Sequence, residues 1–439
     1  MNPLQQIVAK RQAGVASGIP SYCTAHPDVI AACLRHAKGR QLPVLIEATA
    51  NQVNQYGGYT GMQPLDFRNR VETLAQEHGY PIENLIFGGD HLGPLTWQNE
   101  AEATSMAKAE ELVRLFAAAG YQKIHLDTSM RLADDPVDQP LSTETIARRG
   151  ARLCRAAEEG FQQYKEKYPA AAPPVYIIGS EVPIPGGAQE EEEGIEVTAP
   201  TAFDDTIQTY CDVFLAEGLD DAWKNVIAVV VQPGVEFGDE AIFQYDPEKA
   251  AQLVQRLSDH PALIFEGHST DYQPTRRLEQ MVADGIGILK VGPALTFALR
   301  EALFALEEVE KNLLPADQCS HFSATLEEVM NENPGYWQKY YQGTPQQIAL
   351  KRKYSFSDRC RYYLALPPIE QAIRLLMRNI DESAPPLNLL HQYLPIEARA
   401  ILAGDIPARA ADMIYHYIEA TVLDDYWNAC AERPLSASK

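Results

Sequence analysis

The chain has 439 residues, 46% apolar and 22% charged, an ordinary balance for a globular protein with room for a barrel of about 300 residues and an added region. Its formal charge of −23, from 60 acidic and 37 basic residues, argues against a nucleic-acid binder, whereas a small phosphorylated ligand needs only a few local cations and backbone amides. No stretch approaches the roughly 18 uncharged apolar residues of a membrane helix, and the opening MNPLQQIVAKRQAG lacks a secretory pattern, so a cytoplasmic location with no membrane contact is expected.

Short apolar runs alternate with helical periodicity, which predicts parallel strands joined by helical crossovers. In chain order the strands are GIPSYCTA near 18–25, LPVLIEAT at 42–49, NLIFGGDH at 84–91 and KIHLDTS at 123–129. They continue with PVYIIGSEV at 174–182, VIAVVVQPG at 226–234, ALIFEGHS at 262–269 and GILKVGPA at 287–294. About eight strand-and-helix units favour a closed (β/α)8 TIM barrel over an open sheet. Between them, a helix from Asn99 should end at Gly120, and another should start at a Ser142 cap. The acidic run PGGAQEEEEGIEV from Pro185 reads as a solvated loop, or more sharply a lid, above the barrel. Past about Glu301 only helical segments follow, so residues 1–312 are expected to form the barrel and 313–439 a helical extension packed on it. The seven cysteines contain no C-x-x-C pair and read as reduced thiols, with Cys23 at a strand end where it could line a site.

Reactive groups in such a barrel sit where strands end. Polar residues recur there: Glu47 with Asn51 beyond it, Asp90 and His91, His125 and Asp127, Glu181, Gln232, then Glu266, His268, Ser269 and Asp271, and finally Lys290. Carboxylates converging on one basin need shared protons or a cation, and a divalent metal answers this economically. His91, His268 and Glu181 form the expected nitrogen and oxygen ligand set, with Gln232 or Glu266 as further ligands, suited to zinc, manganese, nickel or a related ion. Neither a G-x-G-x-x-G after a strand nor a phosphate-binding P-loop pattern is present.

The strings LIEATANQVNQYGGYTGM, GGDHLGP, KIHLD, SEVPIPGG, VVVQPGVEF, EGHSTDYQ, ILKVGPALTFALREALF and YSFSDRCRYY together resemble the Z-type subunit family of tagatose-1,6-bisphosphate aldolase over nearly the whole chain. The resemblance implies a (β/α)8 barrel and, more distantly, similarity to class II metal-dependent aldolases. In those, an Asp-His pair ends strand three, the aspartate handling the proton of the substrate's fourth hydroxyl and the histidine holding metal; Asp90 and His91 match it. A second metal histidine falls near His268, with Glu266 as the alternative match, while the strand-six histidine has no counterpart in VVQPGVEF, so Glu181 or Gln232 would substitute. The aldolase phosphate loops are only partly kept, in GHST, and Arg359 or Arg361 offers guanidinium groups for a phosphate at the other end.

Members of that family are described as non-catalytic partners of a Y-type aldolase subunit or as ketose 6-phosphate 4-epimerases. The polar basin favours catalysis: fructose 6-phosphate to tagatose 6-phosphate by a retro-aldol route, with Asp90 as base and Asp127 or Glu181 as second acid or base. Glu47, Asn51, His125, Glu266, Ser269, Asp271 and Lys290 are the expected sugar contacts, and the glycines around Asp90 and His91 are expected to let a substrate approach closely. A stabilising subunit and an independent aldolase are the alternatives, and self-association is left open.

Overall fold

The computed structural model describes residues 2–182 and 195–435. Residues 185–194 of the acidic run, expected as loop or lid, lie outside the described residues.

Eight parallel strands close into a barrel: β1 (Ile19–Cys23), β2 (Val44–Thr49), β3 (Leu85–Leu92), β4 (Lys123–Leu126), β5 (Val175–Ile178), β6 (Val226–Val231), β7 (Ile264–Gly267) and β8 (Ile286–Val291). Each strand pairs with its sequence neighbours, and β8 closes on β1 with Lys290 opposite Ser21. Each is followed by a helix: α1 (Pro27–Arg40), α2 (Pro64–Glu77), α3 (Glu102–Ala118), α4 (Thr143–Lys167), α5 (Pro200–Ala216), α6 (Pro247–Arg256), α7 (Thr275–Ala283) and α8 (Pro293–Leu313). This is a (β/α)8 TIM barrel with a helical C-terminal extension. Ser142 caps α4 by accepting a hydrogen bond from the Thr145 N–H at 3.2 Å, and Gly120, at φ 80°, takes the left-handed conformation just past α3.

Side chains alternate along a strand, so every second residue enters the barrel. Toward the N-terminal end these are apolar: Ile19, Leu45, Ile86, Ile177, Ala228 and Ile288 share one buried cluster with Leu4, Ile7 and Val8. The latter come from the segment leading into and through the helix Gln5–Gln12, which plugs this end of the barrel. Burying each such side chain stabilises the fold by about 1.5–3 kcal/mol.

The extension runs through helices from Phe322–Glu332 to Asp424–Cys430. Its apolar residues, among them Ile369, Leu376, Ile414 and Leu423, belong to the same buried cluster as Leu299 and Leu303 of α8. The chain finally returns to its start: Arg433–Pro434 pairs antiparallel with Val15–Ala16, and the Tyr426 hydroxyl donates to the Thr270 carbonyl at 2.6 Å. Among the described residues no helix is long and apolar enough to cross a membrane. All seven cysteines are free.

Candidate active site

One layer above the apolar plug, the barrel interior becomes charged. Glu47, Lys123 and Glu266 are each fully buried, with Lys123 Nζ 2.6 Å from Glu47 Oε1 and 2.8 Å from Glu266 Oε2. These are ion pairs by distance, although the carboxylate oxygens and Nζ lack aligned hydrogen bonds. Gly88 makes the arrangement possible. It lies in register between Glu47 and Lys123, and a Cβ there would come within 2.7 Å of the Glu47 side-chain carbons. A Cβ at Gly89 would strike Leu92 at 2.4 Å, and one at Gly93 the Asp127 carbonyl. The glycines flanking the Asp-His pair therefore admit protein side chains and backbone, which corrects the expectation that they open the way to substrate.

The next layer holds three histidines, each backed by a carboxylate. His91 Nδ1 lies 2.7 Å from Asp127 Oδ2, His125 Nδ1 3.0 Å from Asp90 Oδ1, and His268 Nε2 2.9 Å from Glu266 Oε1. For His91 and His268 the contact calls for the proton on the bonded nitrogen, which leaves the opposite ring nitrogen as a lone-pair donor, whereas His125 Nδ1 faces both the Asp90 carboxylate and the His91 backbone N–H, which donates to it at 3.2 Å. His125 Nε2 and His268 Nδ1 are both buried without a hydrogen-bond partner. The rings stand close, with centroids 4.8 Å apart for His91 and His268, and 5.2 Å from His125 to each.

Burial holds the His91 and His268 imidazoles below their ordinary pKa, so they are neutral at pH 7. Burial alone would raise the Asp90 carboxyl, but His91, the contacting Lys290 ammonium and the His125 hydrogen bond together hold it well below the carboxylate range. Asp127 is likewise held low against burial, by its His91 hydrogen bond. The Cys23 thiol, 3.5 Å from Asp90 Oδ2, is pushed up by burial and stays protonated.

This donor set fits a divalent cation. Asp90, His125, Glu266 and His268 each offer a ligand atom within 4.8 Å of the others. Four carboxylates (Glu47, Asp90, Asp127, Glu266) face only two ammonium groups (Lys123, Lys290), and burial pushes the Glu47 carboxyl up, so this layer calls for a further cation or a retained proton. Mixed imidazole and carboxylate ligation suits zinc or manganese more than magnesium.

Above these groups a pocket is lined by Asn51, Asp90, His91, His268, Ser269, Asp271, Lys290 and Arg361, all expected from the sequence, and also by Cys23, Tyr59 and Tyr362. Asp127 and Arg359 line an adjoining cavity that shares Asn51 and Tyr362 with it. Two expected ligands stand apart. β5 ends at Ile178, so Glu181 falls in the following loop, where it is exposed and outside the donor group. Gln232 lies just past β6, and its Oε1 accepts the N–H groups of Gly234 and Val235 at 2.8 and 2.9 Å. Among the described residues the donor group thus takes Glu266 and His125 in their place, while His91 stands beside it with Nε2 3.6 Å from Asp90 Oδ2. Sequence reasoning missed Lys123 altogether, although its spacing two residues before His125 puts both on the inner face.

The profile of the family described as D-tagatose-1,6-bisphosphate aldolase subunit GatZ/KbaZ-like matches residues 4–431. The chain belongs to this family. A crystal structure described as a probable tagatose 6 phosphate kinase from Sinorhizobium meliloti 1021 is 42% identical, covering 94% of this chain and 100% of its own, at a TM-score of 0.85. Two further structures are a fructose-bisphosphate aldolase from Campylobacter jejuni (15% identity, 86% and 92% coverage, TM-score 0.41) and the YdjI aldolase from Escherichia coli K12 (10%, 85% and 95%, 0.39). Likeness at that level carries no argument about chemistry, whereas membership of the family ties the chain to aldolase-related proteins.

Proposed function

We propose that the chain is a metal-dependent ketose 6-phosphate 4-epimerase, interconverting fructose 6-phosphate and tagatose 6-phosphate by retro-aldol cleavage and re-addition. The observation that carries this reading is the set of three carboxylate-backed histidines converging on Asp90 at the pocket floor. A protein acting only as a scaffold has no use for buried, partnerless ring nitrogens.

Of the donor group, His125, Glu266 and His268 would hold a divalent ion, and Asp90 would then be left for proton transfer. The chemistry such an ion supplies is Lewis-acid polarisation of a carbonyl oxygen. Carbon four is β to the keto group and carries no acidic C–H, so inversion there calls for breaking the bond between carbons three and four. Asp90 takes the proton of the fourth hydroxyl, and the electron pair of the breaking bond moves toward the carbonyl, giving an enediolate and a triose aldehyde. The aldehyde turns its other face, the bond re-forms and the proton returns to the new hydroxyl. His91, oriented by Asp127 at 2.7 Å and 3.6 Å from Asp90, is the second proton carrier, a role the sequence suggested for Asp127 or Glu181. Positioned base catalysis contributes about 10²–10⁴-fold.

The family description supports a second reading better than it supports epimerisation: an aldolase subunit acting with a Y-type partner, or an aldolase itself. One assay separates them. The purified chain is incubated with fructose 6-phosphate and manganese, nickel, zinc or magnesium, and tagatose 6-phosphate is followed by chromatography. The epimerase reading expects product that disappears with a chelator and falls at least 100-fold in Asp90→Asn. Absence of product with every ion, together with aldolase activity gained on mixing with a Y-type subunit, overturns it in favour of the second.

A further inference from the structure

Four arginines are buried among the described residues: Arg149, Arg300, Arg352 and Arg359. Arg149 pairs with Asp135 and Glu102, Arg300 with Asp358, and Arg352 with Glu327. Arg359 has no carboxylate within ion-pair distance among the described residues. It is 5% exposed, donates from Nη1 to the Tyr336 carbonyl at 3.0 Å, stacks 3.1 Å from the Tyr340 ring centroid, and leaves Nε buried without a partner. A guanidinium cannot shed its charge in a protein, so burying it without a counter-charge is costly unless an anion comes from elsewhere. Arg361 is its neighbour against the Tyr362 ring, and its hydrogen bonds also go only to carbonyls and a hydroxyl. Both line the joined cavities above the reactive groups.

The other end of the pocket shows the reverse. A barrel of this class commonly seats phosphate between the loops after strands seven and eight, at a helix N-terminus. Here that position is filled by the protein's own anion: Asp271, 2% exposed, accepts the N–H groups of Gly292 at 2.9 Å and Ala294 at 2.8 Å, at the start of α8. A second anion there meets a carboxylate where it needs a donor.

We propose that Arg359, with Arg361 beside it, seats the single phosphate of the ligand, and that Asp271 bars a second phosphate from the opposite end, so that the protein selects a ketose phosphorylated at one end over the bisphosphate. The barrel's usual anion seat is closed and a new one is supplied by the C-terminal extension. This inference rests on the proposed function only for the sugar class. The seat itself is read from the unpaired arginine.

Isothermal titration of the metal-loaded full chain with fructose 6-phosphate, fructose 1,6-bisphosphate and unphosphorylated fructose tests it apart from turnover. The expected result is at least tenfold tighter binding of the 6-phosphate than of the bisphosphate. Arg359→Met should weaken the 6-phosphate at least tenfold with little change for fructose, Arg359→Lys should recover part of that loss, and Asp271→Asn should narrow the gap between mono- and bisphosphate. Asp271→Ser, with thermal melts of all variants, guards against misfolding. Bisphosphate binding as tightly as the monophosphate, no binding of either phosphate ester, or an equal loss for fructose and its 6-phosphate in Arg359→Met overturns the inference. Selective binding without conversion would instead sink the epimerase reading and leave the seat standing.

Discussion

Replacing Lys123 with methionine tests whether the charged layer of the barrel is held by one ammonium. The side chain keeps its length but loses its charge, and Glu47 and Glu266, both fully buried and 2.6 and 2.8 Å from Nζ, are left facing each other. Removing one partner from a buried ion pair costs about 3–5 kcal/mol, a large share of the roughly 5–15 kcal/mol that holds a typical domain together. The loss should depend on pH, and its sign is fixed. In the intact protein burial would raise the Glu266 carboxyl, but Lys123 and His268 hold it below its ordinary range. Its contribution is therefore present above the unfolded carboxylate pKa and is lost as pH falls through the lower folded value. Without Lys123 both carboxyls are raised by burial and by each other, so the folded variant retains protons that the unfolded chain releases. Its stability then falls as pH rises through the raised value. Guanidinium unfolding of both proteins in chelator at pH 5 and pH 8 measures this. The variant should be a few kcal/mol weaker at pH 8, with a smaller deficit at pH 5, and Glu47→Gln should recover part of the loss at pH 8. A deficit under about 1 kcal/mol at both pH values would show that the triad does not hold this layer.

Gly88→Ala sets a methyl group 2.7 Å from the Glu47 side-chain carbons, so a loss of about 1–3 kcal/mol in unfolding free energy is expected, and the melting temperature reads it directly. Asp127→Asn keeps the shape but removes the negative partner of His91 Nδ1, 2.7 Å away. A fall of about 10²-fold or more in kcat, with KM nearly unchanged, is expected if His91 carries a proton, and metal content should stay as in the parent chain.

The barrel was legible because strands buried on both faces leave β-branched runs, and all eight were found within a few residues of their ends. The ends themselves were not, and that decided the ligand set. Glu181 reads as part of PVYIIGSEV, but the strand stops at Ile178 and the carboxylate leaves the basin. Residues two apart share a face by the pleat alone, as Lys123 and His125 or Glu266 and His268 do, and that spacing was the signal for Lys123 that went unused. Asp90 and His91 could not be paired this way, since adjacent residues in a regular strand point to opposite faces. Both line the pocket because β3 is irregular there: its pairing with β4 shifts register between Gly89 and Leu92, and His91 takes φ 45°, the left-handed region a histidine seldom occupies. No pattern in GGDHLGP states that twist.

That local distortion has a chemical consequence. An undistorted strand would send either Asp90 or His91 into the hydrophobic shell beneath the helices, where a titratable group without a partner is expensive. Turning His91 inward puts its Nδ1 against Asp127 and its Nε2 toward Asp90, so the same kink that costs backbone energy joins two carboxylates through an imidazole. The energy held in the kink has to be repaid by those contacts. Asp127 is therefore as much a determinant of the β3 backbone as of the histidine tautomer. For this reason Asp127→Ala should release His91 toward ordinary strand geometry, whereas Asp127→Asn, which still offers His91 a side-chain oxygen, should leave the backbone in place. A crystal structure of Asp127→Ala with His91 still at positive φ would refute that coupling.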